Sequence, residues 1–408
     1  MKKYFIYLST IIFFSASILL TGCKKDEETK TDPVVDPGES TTELLVKKFA
    51  QAPTLDGNVD DMWATAQKLV GTTEVPNLAA RGTYLNSDGE GSEEGLGLFE
   101  PYTGEKIDFT MRAGVAGSEI YFLLEWDDAD DSKDRQSWYF DSGSKLWKGE
   151  HKYANNANDK FYEDKFSFLF PIGEVSGFSS STCYATCHSV SEIATAKDKH
   201  TRHYLKTAGQ MIDMWHWKRV RGTYLGQVDD QKMGYVEAPY TSGSNGRGGD
   251  ATGDAGYSGN SQTLNNGTAD VNVPKYIIPN QTGYYWISKD DIDNGTAKLI
   301  TAVDADGVLT YDGGSINPAD GGYEQGVGTK RFPSVTTKAF TLGRADINIK
   351  AVHTGSGWIC EFTRTLNTGD ADDVVFDITA ELPFGLAIFN NAAIAHAIKP
   401  NLNLKFEQ

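Results

Sequence analysis

The sequence predicts a mainly β protein, an antiparallel β-sandwich with short helices and long loop insertions. The 408 residues include 42 glycines and only 6 methionines, a composition typical of β-structure with many turns. The apolar residues gather in short segments separated by Gly, Asp and Asn. Hydrophobic residues make up 39% of the chain, which is enough to build a substantial core.

Six segments have the length and composition of strands. In one of them the apolar residues Trp358, Cys360 and Phe362 alternate with more polar ones, so we expect that strand to bury one face, with Cys360 as a small core residue. The predicted strands cover residues 107–115, 119–126, 164–170, 346–352, 358–364 and 384–389. Helices are predicted over residues 59–70 and 190–199.

The charge balance is acidic, with 56 Asp and Glu against 38 Lys and Arg and a formal net charge of −18. A nucleic-acid partner is not expected, because neutralising phosphates requires a basic face.

The N-terminus has the pattern of a bacterial lipoprotein signal. Lys2 and Lys3 precede a short apolar run that ends in Leu-Thr-Gly-Cys at Cys23. Residues 1–22 are therefore predicted to be removed, leaving Cys23 as the lipidated N-terminus. An ordinary secretory signal or a single membrane anchor is the alternative.

Residues 23–43 are polar and are predicted to form a flexible tether ahead of a folded domain at 44–408. The acidic cluster after Cys23 resembles the export signal of surface lipoproteins. We therefore expect the protein in the cell envelope, lipid-anchored to the outer membrane on its periplasmic face or at the cell surface.

Residues 227–272 are rich in Gly, Asn and Ser and are predicted to be a long insertion without strands. Asp250 and Asp254 within it suggest a calcium loop, but their spacing lacks the repeated pattern and the closing Glu of such loops. Calcium binding by the insertion is left open.

The segment most indicative of chemistry is Cys183-Tyr-Ala-Thr-Cys187-His188. In an exported protein, two cysteines followed by His indicate covalent haem attachment through both thiols, with the imidazole as an axial iron ligand. Three residues separate the cysteines here, whereas most such sites have two. A Cys183–Cys187 disulfide and a zinc site using both thiolates, His188 and a fourth ligand are the alternatives.

Several separate segments together resemble the haem-binding domain related to the gamma subunit of ethylbenzene dehydrogenase. They include Asp-Met-Trp-His-Trp-Lys at 213–218 and Leu-Pro-Phe-Gly-Leu-Ala-Ile-Phe at 382–389. The others are 53–57 with Asp60, Asp61 and Trp63, 121–128, 162–170, 183–188 and His396. The resemblance implies a β-sandwich with haem at one end.

Non-covalent members of that family bind iron through a Met and a Lys. His188 stands where that Met would be, and His396 stands close to that Lys, so the resemblance implies one covalent haem c with two imidazole ligands. Such iron is low-spin without an open coordination position, which suits electron transfer.

His216 is the alternative distal ligand. Alternation on a strand places it opposite Trp215 and Trp217, which are candidates for packing against the haem. A basic patch could meet the haem propionates; it comprises Lys197, Lys199, Arg202 and Lys206.

The leading hypothesis is an exported, lipid-anchored monohaem c-type cytochrome that passes electrons between other exported redox proteins and is not itself an enzyme. One alternative is a carbohydrate-binding β-sandwich lipoprotein, since the pattern from Asp56 and Gly57 to Trp63 also resembles sugar-binding modules. The other is a structural lipoprotein stapled by zinc or a disulfide. The visible spectrum separates them, because haem c is coloured.

Overall fold

The structure is a computed structural model, and it describes residues 37–75, 104–151, 161–182, 204–205, 207–237, 246–254, 256–393 and 396–408. In chain order the strands are β1 (Glu39–Ser40), β2 (Glu43–Lys48), β3 (Lys68–Glu74), β4 (Lys106–Ala116), β5 (Glu119–Asp127), β6 (Trp138–Asp141), β7 (Leu146–Gly149), β8 (Lys165–Ile172), β9 (Met211–Lys218), β10 (Asp229–Gly234), β11 (Arg247–Gly249), β12 (Tyr257–Gly259), β13 (Gln262–Asn265), β14 (Asp270–Val273), β15 (Tyr276–Ile277), β16 (Ile287–Ser288), β17 (Lys298–Val303), β18 (Leu309–Tyr311), β19 (Gly314–Ile316), β20 (Val335–Thr337), β21 (Asn348–His353), β22 (Gly357–Thr365), β23 (Leu382–Phe389) and β24 (Ala397–Phe406).

The helices of the described residues are short. The α-helices are Phe178–Ser181 and Lys289–Asp293, and the 3-10 helices are Asp61–Thr65, Thr223–Leu225, Pro318–Asp320 and Leu342–Ala345. In the part of the chain that the structure describes, no helix has the length and apolar character needed to cross a bilayer.

Thirteen strands form one hydrogen-bonded sheet in the order β11-β10-β9-β8-β23-β24-β2-β4-β5-β22-β21, with β1 and β3 alongside. Most neighbours are antiparallel. The exceptions lie at the N-terminus, where β2 runs parallel to both β24 and β4, and β1 runs parallel to β3.

The large sheet folds over so that distant strands face each other. Phe122 of β5 contacts Trp215 of β9, with ring centroids 5.7 Å apart, and Phe168 of β8, at 6.4 Å. β5 is not a hydrogen-bonded neighbour of β8 or β9, so these contacts join two layers across a common core. The predicted class, a mainly β sandwich, is confirmed.

A second buried cluster is built by the shorter strands. It is centred on Trp138, Trp147, Ile277, Ile300 and Leu309. These residues come from β6, β7, β15, β17 and β18, which lie outside the thirteen-stranded sheet.

All six predicted strands are present, with ends shifted by a few residues; 119–126, for example, is β5. Cys360 is fully buried and free, as expected. The helix predicted at 59–70 is wrong, because only Asp61–Thr65 turns as a 3-10 helix and β3 begins at Lys68. The reason is tertiary: β3 pairs with β4, which places Leu69 opposite Met111 in the core. The helix predicted at 190–199 lies outside the described residues.

The segment 227–272 is not strand-free, so that expectation is wrong. β10 pairs with β9 and extends the main sheet, and β11 pairs with β10. Asp is depleted in strands, so the sequence Asp229–Gly234 does not look like one. It is stabilised by buried ion pairs, in which Asp229 contacts Lys218 and Arg344.

Candidate functional site

The residues predicted to attach the haem and the lipid, Cys23, Cys183, Cys187 and His188, lie outside the described residues. The basic patch predicted around residues 197–206 lies there too. The chain immediately before Cys183 is described. Thr182 is buried, and a methyl group added at Gly385 of β23 would lie 3.1 Å from its Cβ. The segment that carries the cysteines therefore starts against β23.

Three residues with predicted haem contacts, Trp215, His216 and Trp217, lie on β9 and point to two different faces of the sheet. Trp215 and Trp217 are fully buried in the main core, where Trp215 packs on Phe170 and Trp217 on Phe166. His216 points to the opposite face, as alternation predicts. The haem-packing role of the two indoles stays a prediction.

The His216 ring is held by two contacts. Its Nδ1 lies 2.5 Å from Nη2 of Arg247, and the ring stacks on Phe389 with centroids 5.7 Å apart. Because a guanidinium only donates hydrogen bonds, Nδ1 is the acceptor, so the proton of the neutral ring is on Nε2. That Nε2 is buried and has no hydrogen-bond partner among the described residues.

His396, the residue predicted to be the distal iron ligand, lies just before β24. It is half-buried, and its ring stacks on Phe389 with centroids 4.6 Å apart. Phe389, the last residue of β23, thus contacts both candidate imidazoles. The structure brings His216 and His396 to one end of the β8-β9-β23-β24 layer.

A cationic pocket of about 450 Å³ opens beside His216. Its cations are Lys165, Lys218, Arg221, Arg247 and Arg344. Two buried carboxylates compensate part of this charge: Asp229 pairs with Lys218 and Arg344, and Glu163 pairs with Arg221 at 2.6 Å. The pocket therefore retains a positive excess.

Burial and the neighbouring cations lower the pKa of two groups in the pocket, His216 and Lys165. Desolvation, followed by the charges of Lys218 and Arg247, lowers the pKa of His216 well below its ordinary value. Desolvation, followed by the charge of Arg221, likewise lowers the pKa of Lys165 well below its ordinary value. An anion entering the pocket would relieve this repulsion.

The residues present fit a haem at this end of the sandwich. The cationic pocket suits the charge of two propionate groups, the Nε2–H of His216 has no other partner among the described residues and would be free to donate, and His396 is an imidazole next to the apolar ring of Phe389.

Sequence reasoning missed the cationic pocket. One signal was present: Lys165 begins and Lys218 ends strands that are otherwise buried, and buried lysines are rare unless they are paired. Arg247 and Arg344 gave no signal, because they reach the pocket from β11 and from a 3-10 helix that lie far apart in the sequence.

The family of the chain follows from its sequence. It matches the family model described as ethylbenzene dehydrogenase over residues 60–399. This is most of the chain, which therefore belongs to the ethylbenzene dehydrogenase family. The family is associated with haem-binding redox subunits, which are typically accessory to redox enzymes rather than catalytic. The predicted resemblance is confirmed.

No curated protein matches the chain. One similar solved structure is a carbohydrate binding module family 9 from Caldicellulosiruptor kristjanssonii in complex with glucose, at 8% identity over 90% of this chain and 96% of that one, with a TM-score of 0.26. A likeness this weak has no bearing on the ligand of this chain.

Proposed function

We propose that the protein is an exported, lipid-anchored monohaem c-type cytochrome that transfers electrons to or from other exported redox proteins. The observation that carries the proposal is the site described above. His216, whose Nε2–H has no partner among the described residues, and His396 both stack on Phe389 beside a cationic pocket. The chain belongs to a family that is associated with haem-binding subunits. A haem bound there would supply reversible one-electron chemistry.

The segment from Thr182 to His188, which carries both cysteines of the motif, is long enough to reach this site. Thr182 lies at Gly385, four residues along β23 from Phe389, a distance of about 13 Å along a strand. The six residues from Thr182 to His188 span at most about 20 Å when extended. On the Cys-x-x-x-Cys-His motif, which this reach supports, we assign Cys183 and Cys187 to thioether bonds and His188 to the proximal iron ligand.

His396 is the better distal ligand of the two candidates. A metal-bound imidazole donates its second ring N–H to an acceptor. His216 cannot do so as placed, because its Nδ1 faces the donor Arg247. His216 is therefore assigned to hold an anionic group of the haem through Nε2, and His396 to the iron.

Attachment of one haem is expected to be visible in the mass of a single peptide. Protein made in a host with cytochrome c maturation should carry one haem on the peptide that holds Cys183 and Cys187, and should keep its colour in denaturant. Replacing both cysteines by Ala should abolish the covalent adduct, whereas replacing the buried Cys360 by Ala should not. A folded wild-type protein with an unmodified peptide would contradict the proposal.

The lipid anchor is tested separately. Cys23→Ser should move the protein from the membrane fraction to the soluble fraction, because residue 23 could no longer accept the lipid. Cys360→Ser is the matched control and should stay with the membrane. If Cys23→Ser also remains membrane-bound, the anchor is an uncleaved segment and the lipoprotein assignment is wrong.

A further inference from the structure

The turn between β23 and β24 leads directly to His396, the proposed iron ligand. Ile388 of β23 lies opposite Ala397 of β24, so Phe389 and His396 form the next pair along the same antiparallel register. Their rings stack with centroids 4.6 Å apart. Residues 390–393 of the turn are described. How these residues are held therefore bears on where the imidazole lies.

Asn391 is tied to the segment before β8 through both its backbone and its side chain. Its backbone N–H donates to Oδ1 of Asp164 at 2.9 Å, and its side-chain Oδ1 accepts from the backbone N–H of Tyr162 at 2.8 Å. Its φ is +47°, in the left-handed region that Asn tolerates better than most residues with a side chain. Asn at this position thus serves the turn twice, by its conformation and by its acceptor.

Asp164 is a buried anchor for the turn. Its side chain is fully buried, and Oδ2 accepts from the backbone N–H of Ser132 at 2.8 Å while Oδ1 accepts from Asn391. The backbone N–H of Asp164 donates in return to the carbonyl of Ser132 at 3.1 Å. Moving the turn would leave a buried carboxylate oxygen without its donor, which is costly.

Two further side chains hold the turn on either side of Asn391. Nζ of Lys165 donates to the carbonyl of Ala393 at 3.0 Å and lies 4.1 Å from the centroid of the Phe389 ring. Nδ2 of Asn390 donates to Oε1 of Glu105 at 2.7 Å. The turn is therefore fixed to two separate parts of the chain, the segment entering β8 and the residue before β4.

We propose that Asn391 and Asp164 are positioning residues that hold His396 at the iron. The inference rests on the proposed function, in which His396 is the distal ligand. An imidazole already held in place by the fold loses less freedom when it binds, so a rigid turn favours the closed, six-coordinate iron. A loosened turn should favour the form in which His396 has left the iron.

The test is Asn391→Gly in the haem-loaded full-length protein. Gly accepts the positive φ, so the change removes only the acceptor for Tyr162 and leaves the backbone unstrained. Losing this hydrogen bond should shift the equilibrium toward the open form by about tenfold. The ferrous variant should therefore bind about tenfold more carbon monoxide than the wild type in the same time. Exchange mass spectrometry should show the amide hydrogens of residues 389–393 exchanging faster by a similar factor.

Asn401→Gly is the matched control. Asn401 also has a positive φ, of 62°, but it is exposed and lies beyond His396 along β24. It should change neither carbon monoxide binding nor amide exchange at residues 389–393. Asn390→Ala, which removes the contact with Glu105, is a second variant and should act in the same direction as Asn391→Gly.

Two results would overturn the inference: an Asn391→Gly protein that matches the wild type in both measurements, or an Asn401→Gly protein that changes as much as Asn391→Gly does. Carbon monoxide binding by His396→Ala separates this failure from that of the proposed function. If His396→Ala opens the iron and Asn391→Gly does not, only the positioning role is wrong. If His396→Ala leaves the iron closed, the ligand assignment is wrong and the positioning role with it.

Discussion

Replacing His396 by Ala should leave the covalent haem in place and open the iron to carbon monoxide. The proposed thioethers and His188 do not depend on His396, which contacts the site through its ring on Phe389. The ferrous wild type, with two imidazole ligands, should bind no carbon monoxide, and the ferrous variant should bind it stoichiometrically. Difference spectra in the Soret region measure both.

The matched control is His216→Gln, which keeps a side-chain N–H near the same face of β9. It should bind no carbon monoxide, because His216 is assigned to an anionic group rather than to the iron. If His216→Gln binds carbon monoxide and His396→Ala does not, the distal ligand is His216 and the assignment from its Nδ1 contact is wrong.

Replacing Arg364 by Met should be among the most destabilising single changes in the chain. Arg364 is buried and pairs with Asp213, and it also donates to the carbonyl of Val374. Removing the cation leaves Asp213 and its neighbours without their buried partner, which costs about 3–5 kcal/mol of the free energy of unfolding. Chemical denaturation measures the loss.

Lys47→Met is the control, since Lys47 pairs with Glu407 at 2.7 Å where both side chains are about one-third exposed. Such a surface pair contributes no more than about 1 kcal/mol. An Arg364→Met protein that loses as little as Lys47→Met would show that the guanidinium is not needed to compensate the buried acids.

The sequence was sufficient for the sandwich because its core strands carry a strong local signal. β5 and β22 are long, rich in aromatic and branched residues, and bounded by turns, so their positions follow from the pattern alone. β10 was missed for the opposite reason. Its buried residues are mostly polar, and they are stabilised by ion pairs of Asp229 with Lys218 and Arg344. These partners lie 11 and 115 positions from Asp229 in the sequence, too far for a local pattern to show the pairing.

The sequence predicted the histidines of the candidate site but not the charged residues that surround them. His216 and His396 were identified from motifs, and the structure places both against Phe389. The direction of each ring nitrogen depends on partners such as Arg247, which is 31 positions away in the sequence from His216. Choosing between the proposed iron ligand and the proposed hydrogen-bond donor therefore required the fold.

The position of β2 bears on when the sheet can form during synthesis. β2 lies between β24 and β4, so the first long strand of the domain pairs with the last, and Lys47 contacts Glu407, 360 positions later. Until the final residues emerge, β2 lacks one of its two neighbours and β4 is cut off from the strands beyond β24. In the export proposed above, a chain that crosses a membrane N-terminus first could complete the centre of its sheet only after its last strand has crossed.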